Sequence, residues 1–255
     1  MNNRKQIAAA NWKMNLTYHE AEDLITELLQ ASIELSSNQE IVLGVPFPYL
    51  AMANQKFHGP QRSISAQNCS DQLSGAFTGE TSLPMLRSIG INTCIIGHSE
   101  RRDLFHESDD MIARKVRLAL DQDVRPIFCC GEALSVREAG NEKQFVEEQL
   151  QASLFPLSNE EIRRVVIAYE PVWAIGTGKT ATTQQAQEMH KHIRDLLAGK
   201  YDMETANVIS ILYGGSVKAG NAAEIFAAPD VDGGLVGGAS LKSGEFTGII
   251  KALSK

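Results

Sequence analysis

Eight short apolar runs recur along the chain: QIAAANW (6–12), EIVLGV (40–45), SISAQ (63–67), TCIIG (93–97), VRPIFCC (124–130), RVVIAYE (164–170), NVISILY (207–213) and VDGGLVG (231–237). Most are nearly continuous rather than alternating, the pattern of strands buried on both faces of a parallel sheet. Eight runs over 255 residues leave about 32 residues each, enough for a strand and its returning helix. Helical patterns fill most of the gaps. Thr17 with Glu20, Ser158 with Glu161 and Thr182 with Gln185 have the spacing of capping boxes. Ala21, Leu24, Ile25, Leu28 and Leu29 share one helical face, and Ala186, Met189, Ile193 and Leu197 share another. Gly199 is expected to stop the second of these helices.

Strand–helix alternation of this kind permits an open doubly wound sheet or a closed (β/α)8 TIM barrel, eight parallel strands inside a ring of outer helices. The chemistry favours closure. Polar or glycine-rich groups follow strand 1 (Asn11, Lys13), strand 3 (Gln67, Asn68), strand 4 (His98), strand 6 (Glu170), strand 7 (Gly214, Gly215, Ser216) and strand 8 (Gly237, Gly238). Only a barrel brings the first and last strands together and gathers all these loops at one mouth. No Pro/Ser-rich linker breaks the spacing, so residues 1–255 are expected to form a single barrel domain.

Composition narrows the function classes. Hydrophobic residues make up 43% and charged residues 22%, which suits a packed globular chain. No run approaches the roughly 18 apolar residues of a membrane span. The net charge of −7 argues against a nucleic-acid face while leaving room for a small anionic substrate at a locally basic site. Asn11 and Lys13 stand where a secretory signal would need an apolar run and a cleavage site, so a cytoplasmic protein is expected. Cys69, Cys94, Cys129 and Cys130 form no CxxC pair and have no zinc-ligand spacing, so they read as reduced, buried thiols. His190 and His192 are two apart on a helix and face different ways, so they make no metal grip.

Several residues could carry chemistry. Glu170 ends an apolar run, where partial desolvation raises a carboxylate's proton affinity and suits it to act as a base; a loop carboxylate paired with Lys or Arg would look the same. Lys13 is either a solvated lysine or a fixed cation for an anionic substrate. His98 stands between strand 4 and the helical SERR, where the positive end of a helix dipole disfavours imidazolium; a structural histidine could sit there too. YGGS (213–216) and GG (237–238) each follow a strand and precede a helical segment, as phosphate-binding loops or tight turns do. GTGKTA (176–181) matches a dinucleotide fingerprint, but no acid ends the next strand, which closes on Tyr213-Gly214. The same stretch fails as a nucleotide-hydrolase loop, because Trp173 stands where its first glycine belongs. With Trp173 and Ile175 to cover a site, the segment reads better as a lid.

Taken in order, NWKMN (11–15), AQN (66–68), GAFTGE (75–80), GHSERR (97–102), CCGEAL (129–134), YEPVWAIGTGKTAT (169–182), YGGSV (213–217) and DGGLVGGASL (232–241) resemble the triosephosphate isomerase family from the first strand to the final helix. The resemblance implies interconversion of dihydroxyacetone phosphate and D-glyceraldehyde 3-phosphate through an enediolate, with neither metal nor organic cofactor. It makes Glu170 the base and His98 the electrophile, with Lys13 and Asn11 as the substrate-binding pair. Glu100 becomes a supporting carboxylate near Lys13 and His98. Gly176, Ser216, Gly237 and Gly238 become the phosphate-binding groups. Pro171, Val172, Trp173, Ala174, Ile175, Gly176, Thr177, Gly178, Lys179, Thr180 and Ala181 become the lid. It also implies a homodimer whose loop around Thr78 enters the partner's site. A different or non-catalytic sugar-phosphate barrel is the alternative, though mere binding would need no base. The chain departs from the family pattern at Ala10, Cys130 and Gly234, and at Leu16, where glycine is common.

Overall fold

The computed structural model describes residues 4–174 and 181–253. Its strands are β1 (Gln6–Asn11), β2 (Gln39–Gly44), β3 (Arg62–Ser65), β4 (Thr93–Ile96), β5 (Arg125–Cys130), β6 (Val166–Tyr169), β7 (Ile211–Tyr213) and β8 (Gly233–Val236). Its helices are α1 (Tyr18–Gln30), α2 (Leu50–Lys56), α3 (Leu83–Ser88), α4 (Ser99–Leu104), α5 (Asp109–Asp121), α6 (Leu134–Glu138), α7 (Glu142–Ser153), α8 (Asn159–Ile162), α9 (Thr183–Lys200), α10 (Met203–Ala206), α11 (Ala219–Ala227) and α12 (Ser243–Lys251). All the strand pairs are parallel, in the order β3-β2-β1-β8-β7-β6-β5-β4. β1 therefore lies beside β8. The free edges meet where Ala66, just past β3, bridges Cys94 of β4, so the sheet is a closed (β/α)8 barrel.

Two layers of apolar packing hold it. Ile7, Ala9, Val42, Ile95, Ile127, Cys129, Val166, Ala168, Leu212 and Leu235 fill the interior. Their strand neighbours point outward under the helices, as the two-residue side-chain period requires. The three capping boxes form at Thr17, Ser158 and Thr182, and both apolar helix stripes face the barrel. Gly199 does not stop α9, which runs on to Lys200 with Tyr201 at its cap.

The apolar runs overshoot some strands for identifiable reasons. The run at 207–213 yields only β7. Asn207 belongs to the end of α10, and the carbonyl of Ile209 accepts from Arg194 instead of a sheet neighbour. The run at 164–170 starts late, because the amides of Arg164 and Val165 bond back to Glu161 and Ile162 of α8. At Gly233, with φ 117°, a Cβ would lie 2.1 Å from the Ile7 carbonyl oxygen, so only glycine admits the β1–β8 contact. The missing side chain of Gly234 has a neighbour in its place: a Cβ there would come within 3.2 Å of the Phe226 ring. Leu16, standing where the family pattern favours glycine, holds φ 70°, a left-handed conformation that a Cβ disfavours.

Candidate active site

The strand ends surround a cavity of about 380 Å³, lined by Asn11, Lys13, His98, Glu170, Gly214, Gly215, Ser216, Val217, Lys218, Leu235, Gly237, Gly238 and Ala239. Five neighbouring or facing loops contribute, and barrel closure is what assembles them.

Glu170 follows β6 and is 2% exposed. Its amide donates to the Cys130 carbonyl at 2.7 Å, which extends the β5–β6 ladder by one rung and fixes its Cα. Two glycines allow this placement. A Cβ on Gly131 would fall 1.8 Å from the Glu170 carbonyl oxygen, and one on Gly214 would fall 2.9 Å from its Cγ. One carboxylate oxygen accepts the Ser99 N–H at 3.0 Å; the other lies 3.0 Å from His98 Nε2 and 3.4 Å from Ser99 Oγ. Burial is the largest influence on this carboxyl and pushes its proton affinity up. The His98 contact, the Ser99 amide and the Lys13 charge together outweigh burial, so Glu170 sits ionised, below the ordinary carboxylate range.

His98 caps the N-terminus of α4, and its Nδ1 accepts the Glu100 N–H at 3.2 Å. Burial works against imidazolium, while the Glu170 and Glu100 carboxylates favour it; on charge alone the ring's affinity for a second proton rises. The amide hydrogen decides the resting state. A proton on Nδ1 would face the Glu100 N–H, so the ring is neutral, with its single hydrogen on Nε2 toward Glu170. Such a ring can donate to a developing oxyanion without carrying charge.

Lys13 has a positive backbone φ of 53°. Its amide donates to Asn11 Oδ1 at 3.1 Å, and its ammonium reaches Glu100 Oε1 at 2.6 Å. A Cβ on Gly237 would lie 3.6 Å from Lys13 Cε, which places the ammonium stem beside the Gly237–Gly238 turn. Gly237 precedes a 3-10 turn at Gly238–Leu241, and Ser216 lies between β7 and α11. Asn11, Lys13, His98, Glu170, Ser216, Gly237 and Gly238 thus line one cavity, while Glu100 links Lys13 to the His98 turn. Gly176 lies outside the described residues.

Of the expected lid, Pro171–Ala174 and Ala181 are described; 175–180 are not. Val172–Ala174 form a 3-10 turn anchored on Glu132. Trp173 Nε1 donates to Glu132 Oε1 at 2.8 Å, Tyr169 OH donates to the same oxygen at 3.0 Å, and the Val172 amide donates to the Glu132 carbonyl at 3.1 Å. Arg137 pairs with Glu132 at 3.2 Å and stands 5.0 Å from the centre of the Trp173 ring. Burial, opposed by those donors, holds the Glu132 carboxyl above the usual range. Nothing in the sequence singles out Glu132, although it follows an apolar run just as Glu170 does. Ser99 and Gly131 leave no comparable trace.

Among the described residues no group of His, Cys, Asp and Glu could hold a metal ion. His190 is fully buried, held neutral down to about 3 mainly by burial, and packs edge-on to Tyr169. The four cysteines are buried and unpaired, and burial pushes the Cys129 and Cys130 thiols up.

A family model described as triosephosphate isomerase matches residues 6–253. The chain is 51% identical over 250 residues to a triosephosphate isomerase of Cytophaga hutchinsonii, covering 98% of this chain and 99% of that one. It is 50% identical over 249 residues to that of Phocaeicola vulgatus, with the same coverage. It is 49% identical over 250 residues to that of Flavobacterium johnsoniae, covering 98% of this chain and all of the other.

Proposed function

The chain belongs to the triosephosphate isomerase family, and from that premise we propose that the cavity at the barrel mouth is where it interconverts dihydroxyacetone phosphate and D-glyceraldehyde 3-phosphate. The observation that carries the assignment of residues is the meeting of an ionised, desolvated carboxylate, a neutral ring with an outward N–H and an ammonium at one cavity.

The ketose carries a weakly acidic C–H beside its carbonyl. Glu170 takes the proton from C1 as the electron pair moves toward the carbonyl oxygen, giving an enediolate. His98 Nε2–H donates to that oxygen and relays a proton between the two oxygens; Glu170 then returns its proton to C2, and the aldose results. Two protons move within the substrate, one from C1 to C2 through Glu170 and one from O1 to O2 through His98, while C1 is oxidised and C2 reduced by the same electron pair, so the step balances without a cofactor. A positioned base gives about 10²–10⁴-fold, and each well-aimed donor at the oxyanion adds about 3–4 kcal/mol. A glutamate base paired with a neutral histidine is the well-known arrangement of this enzyme class. Asn11 and Lys13 hold the substrate's oxygens, with Ser216, Gly237, Gly238 and Gly176 as the phosphate donors. Residues 171–181 form the lid, which keeps water from an intermediate that could otherwise expel phosphate.

The test is a coupled isomerisation assay on the purified protein and on Glu170→Asp. Withdrawing the carboxylate by one methylene is expected to lower kcat at least about 100-fold with a modest change in KM. An unchanged kcat would remove Glu170 from the role of base.

We read residues 1–255 as one barrel domain acting in the cytoplasm as a homodimer. No described helix is long and apolar enough to cross a membrane. Met14 and Phe77, on the loops after β1 and β3, and Leu104 and Phe105, at the end of α4, are exposed apolar side chains, and Thr78 adjoins Phe77 in sequence. A second copy covering that surface would seat the Thr78 loop near its partner's site. Sedimentation equilibrium at micromolar concentration tests this reading; a monomer would refute it.

A further inference from the structure

The loop after β1 holds two non-glycine residues in the left-handed region, Lys13 (φ 53°) and Leu16 (φ 70°). A Cβ disfavours that conformation, so it persists only where the surroundings hold it. Two of the holding bonds are local, and a third reaches back from Tyr49 beyond β2. Asn11 Oδ1 accepts the Lys13 amide, Asn15 Nδ2 donates to the Trp12 carbonyl at 2.7 Å, and Tyr49 OH donates to the Leu16 carbonyl at 2.8 Å.

The fourth comes from another strand end. Gln67, two residues beyond β3, donates its side-chain amide to the Lys13 carbonyl and to the Gly44 carbonyl, each at 3.0 Å. A primary amide has two hydrogens, and both are engaged; because both partners only accept, nitrogen and oxygen cannot be exchanged. Gly44 is a firm anchor. It ends β2, its carbonyl also takes the Trp12 amide at 3.0 Å, and a Cβ there would lie 2.7 Å from the Ala10 carbonyl oxygen. One side chain thus ties the end of β2 to the residue whose backbone is strained.

We propose that Gln67 is a positioning residue for the isomerisation: it pins the left-handed Lys13 backbone to the end of β2 and so aims the ammonium into the cavity. The inference rests on the reading of Lys13 as the substrate's cationic anchor. Without the pin, Lys13 can relax toward negative φ. That turns its Cα–Cβ bond and swings Nζ away from Glu100 and the Gly237 turn. Glu170 and His98 stand on other strands and keep their places, so the loss falls on binding first.

The experiment compares wild type, Gln67→Met, Lys13→Met and the double variant. Gln67→Met keeps the length and removes both donors. The readouts are kcat, KM, calorimetric Kd for 2-phosphoglycolate and thermal unfolding. Gln67→Met is expected to raise KM and Kd about tenfold with a smaller change in kcat. On the Lys13→Met background the same substitution should change Kd by less than about twofold, because the group it aims is gone. Gln67→Asn, an amide one methylene short, carries the same comparison if Gln67→Met folds poorly. Wild-type Kd in Gln67→Met overturns the inference, and so does an equal penalty with and without the ammonium, the mark of a merely structural role. If Lys13→Met itself binds the inhibitor as tightly as wild type, the anchor reading falls and the inference falls with it. If Lys13→Met weakens binding and the Gln67 variants do not, the inference alone falls.

Discussion

Gly131→Ala puts one methyl group against the backbone that carries Glu170, the proposed base. The new Cβ would stand 1.8 Å from the Glu170 carbonyl oxygen, 2.6 Å from its carbonyl carbon and 3.1 Å from its Cα. Ordinary contact begins near 3.4 Å, so the two chains must part by about 1.6 Å. They cannot part freely. The Glu170 amide is bonded to the Cys130 carbonyl, and Gln149 holds Gly131 by both its amide and its carbonyl. The strain therefore falls on the end of β6. A displacement of about 1 Å at a reacting group costs on the order of 100-fold in rate, so kcat should drop at least about 100-fold. Ser216, Gly237 and Gly238 lie beyond β7 and β8, so KM should change far less. Overpacking costs about 1–3 kcal/mol, which for a chain of this size lowers Tm by several degrees, at about 2–4 °C per kcal/mol. The coupled assay and a calorimetric melt on one preparation measure both. A kcat within threefold of wild type, with an unshifted Tm, would mean that the two strand ends do not meet as described.

Other outcomes follow from the same geometry. Arg194→Met removes the guanidinium that bonds Asp230, Asp232 and the carbonyls of Ala206 and Ile209; a broken buried network of this kind costs about 3–5 kcal/mol, and chemical denaturation giving less than about 1 kcal/mol would contradict it. Glu40 is buried and pairs with Arg125 through both oxygens; burial raises its proton affinity, but the Arg125 bonds and charge more than offset that and hold its carboxyl below the ordinary range. A lowered folded-state value stabilises above the unfolded pKa and stops doing so as pH falls through the folded one. The Tm gap between wild type and Glu40→Gln should therefore shrink as the pH drops from 7 through about 4, and a constant gap would rule out that linkage. Binding of 2-phosphoglycolate near pH 7 should take up a proton, because its carboxylate beside Glu170 puts two anions at one place; calorimetry in buffers of different ionisation enthalpy would show no buffer dependence if that is wrong.

The barrel was legible because each unit repeats one pattern, a continuous apolar run followed by a capped helix, and because the chemistry-bearing residues all follow the runs. The ends of β6 and β7 were not, since local helix bonds take amides and Arg194 takes a carbonyl that apolarity alone assigns to the sheet. Within the site, Glu170 and His98 were visible by type and place. Gly131 and Ser99 were not, because each acts on Glu170 from another strand end, at separations of 39 and 71 positions respectively; Gln67 was visible as a polar group after strand 3, but its hold on Lys13, 54 positions away, was not. Leu16 shows the same limit from the other side. A leucine where glycine is common looks harmless in the string, yet it is a left-handed residue that Tyr49 must hold.

The surroundings of Glu170 suggest how one carboxylate can be a quiet anion at rest and a competent base in use. Burial, its largest influence, favours the protonated form, and the His98 contact, the Ser99 amide and the Lys13 charge hold it ionised. All three lie on the side of β1 and β4. On the proposed reading, a substrate carbon entering the cavity draws the carboxylate away from Ser99, and the incoming oxygens compete for the His98 N–H and the Lys13 ammonium. Each partner lost leaves burial less opposed, and the proton affinity of Glu170 climbs as it closes on the carbon. Basicity is then a function of position, set by the spacing between β4 and β6. That is why the glycine contacts that fix the end of β6 bear on the chemistry as directly as the carboxylate does.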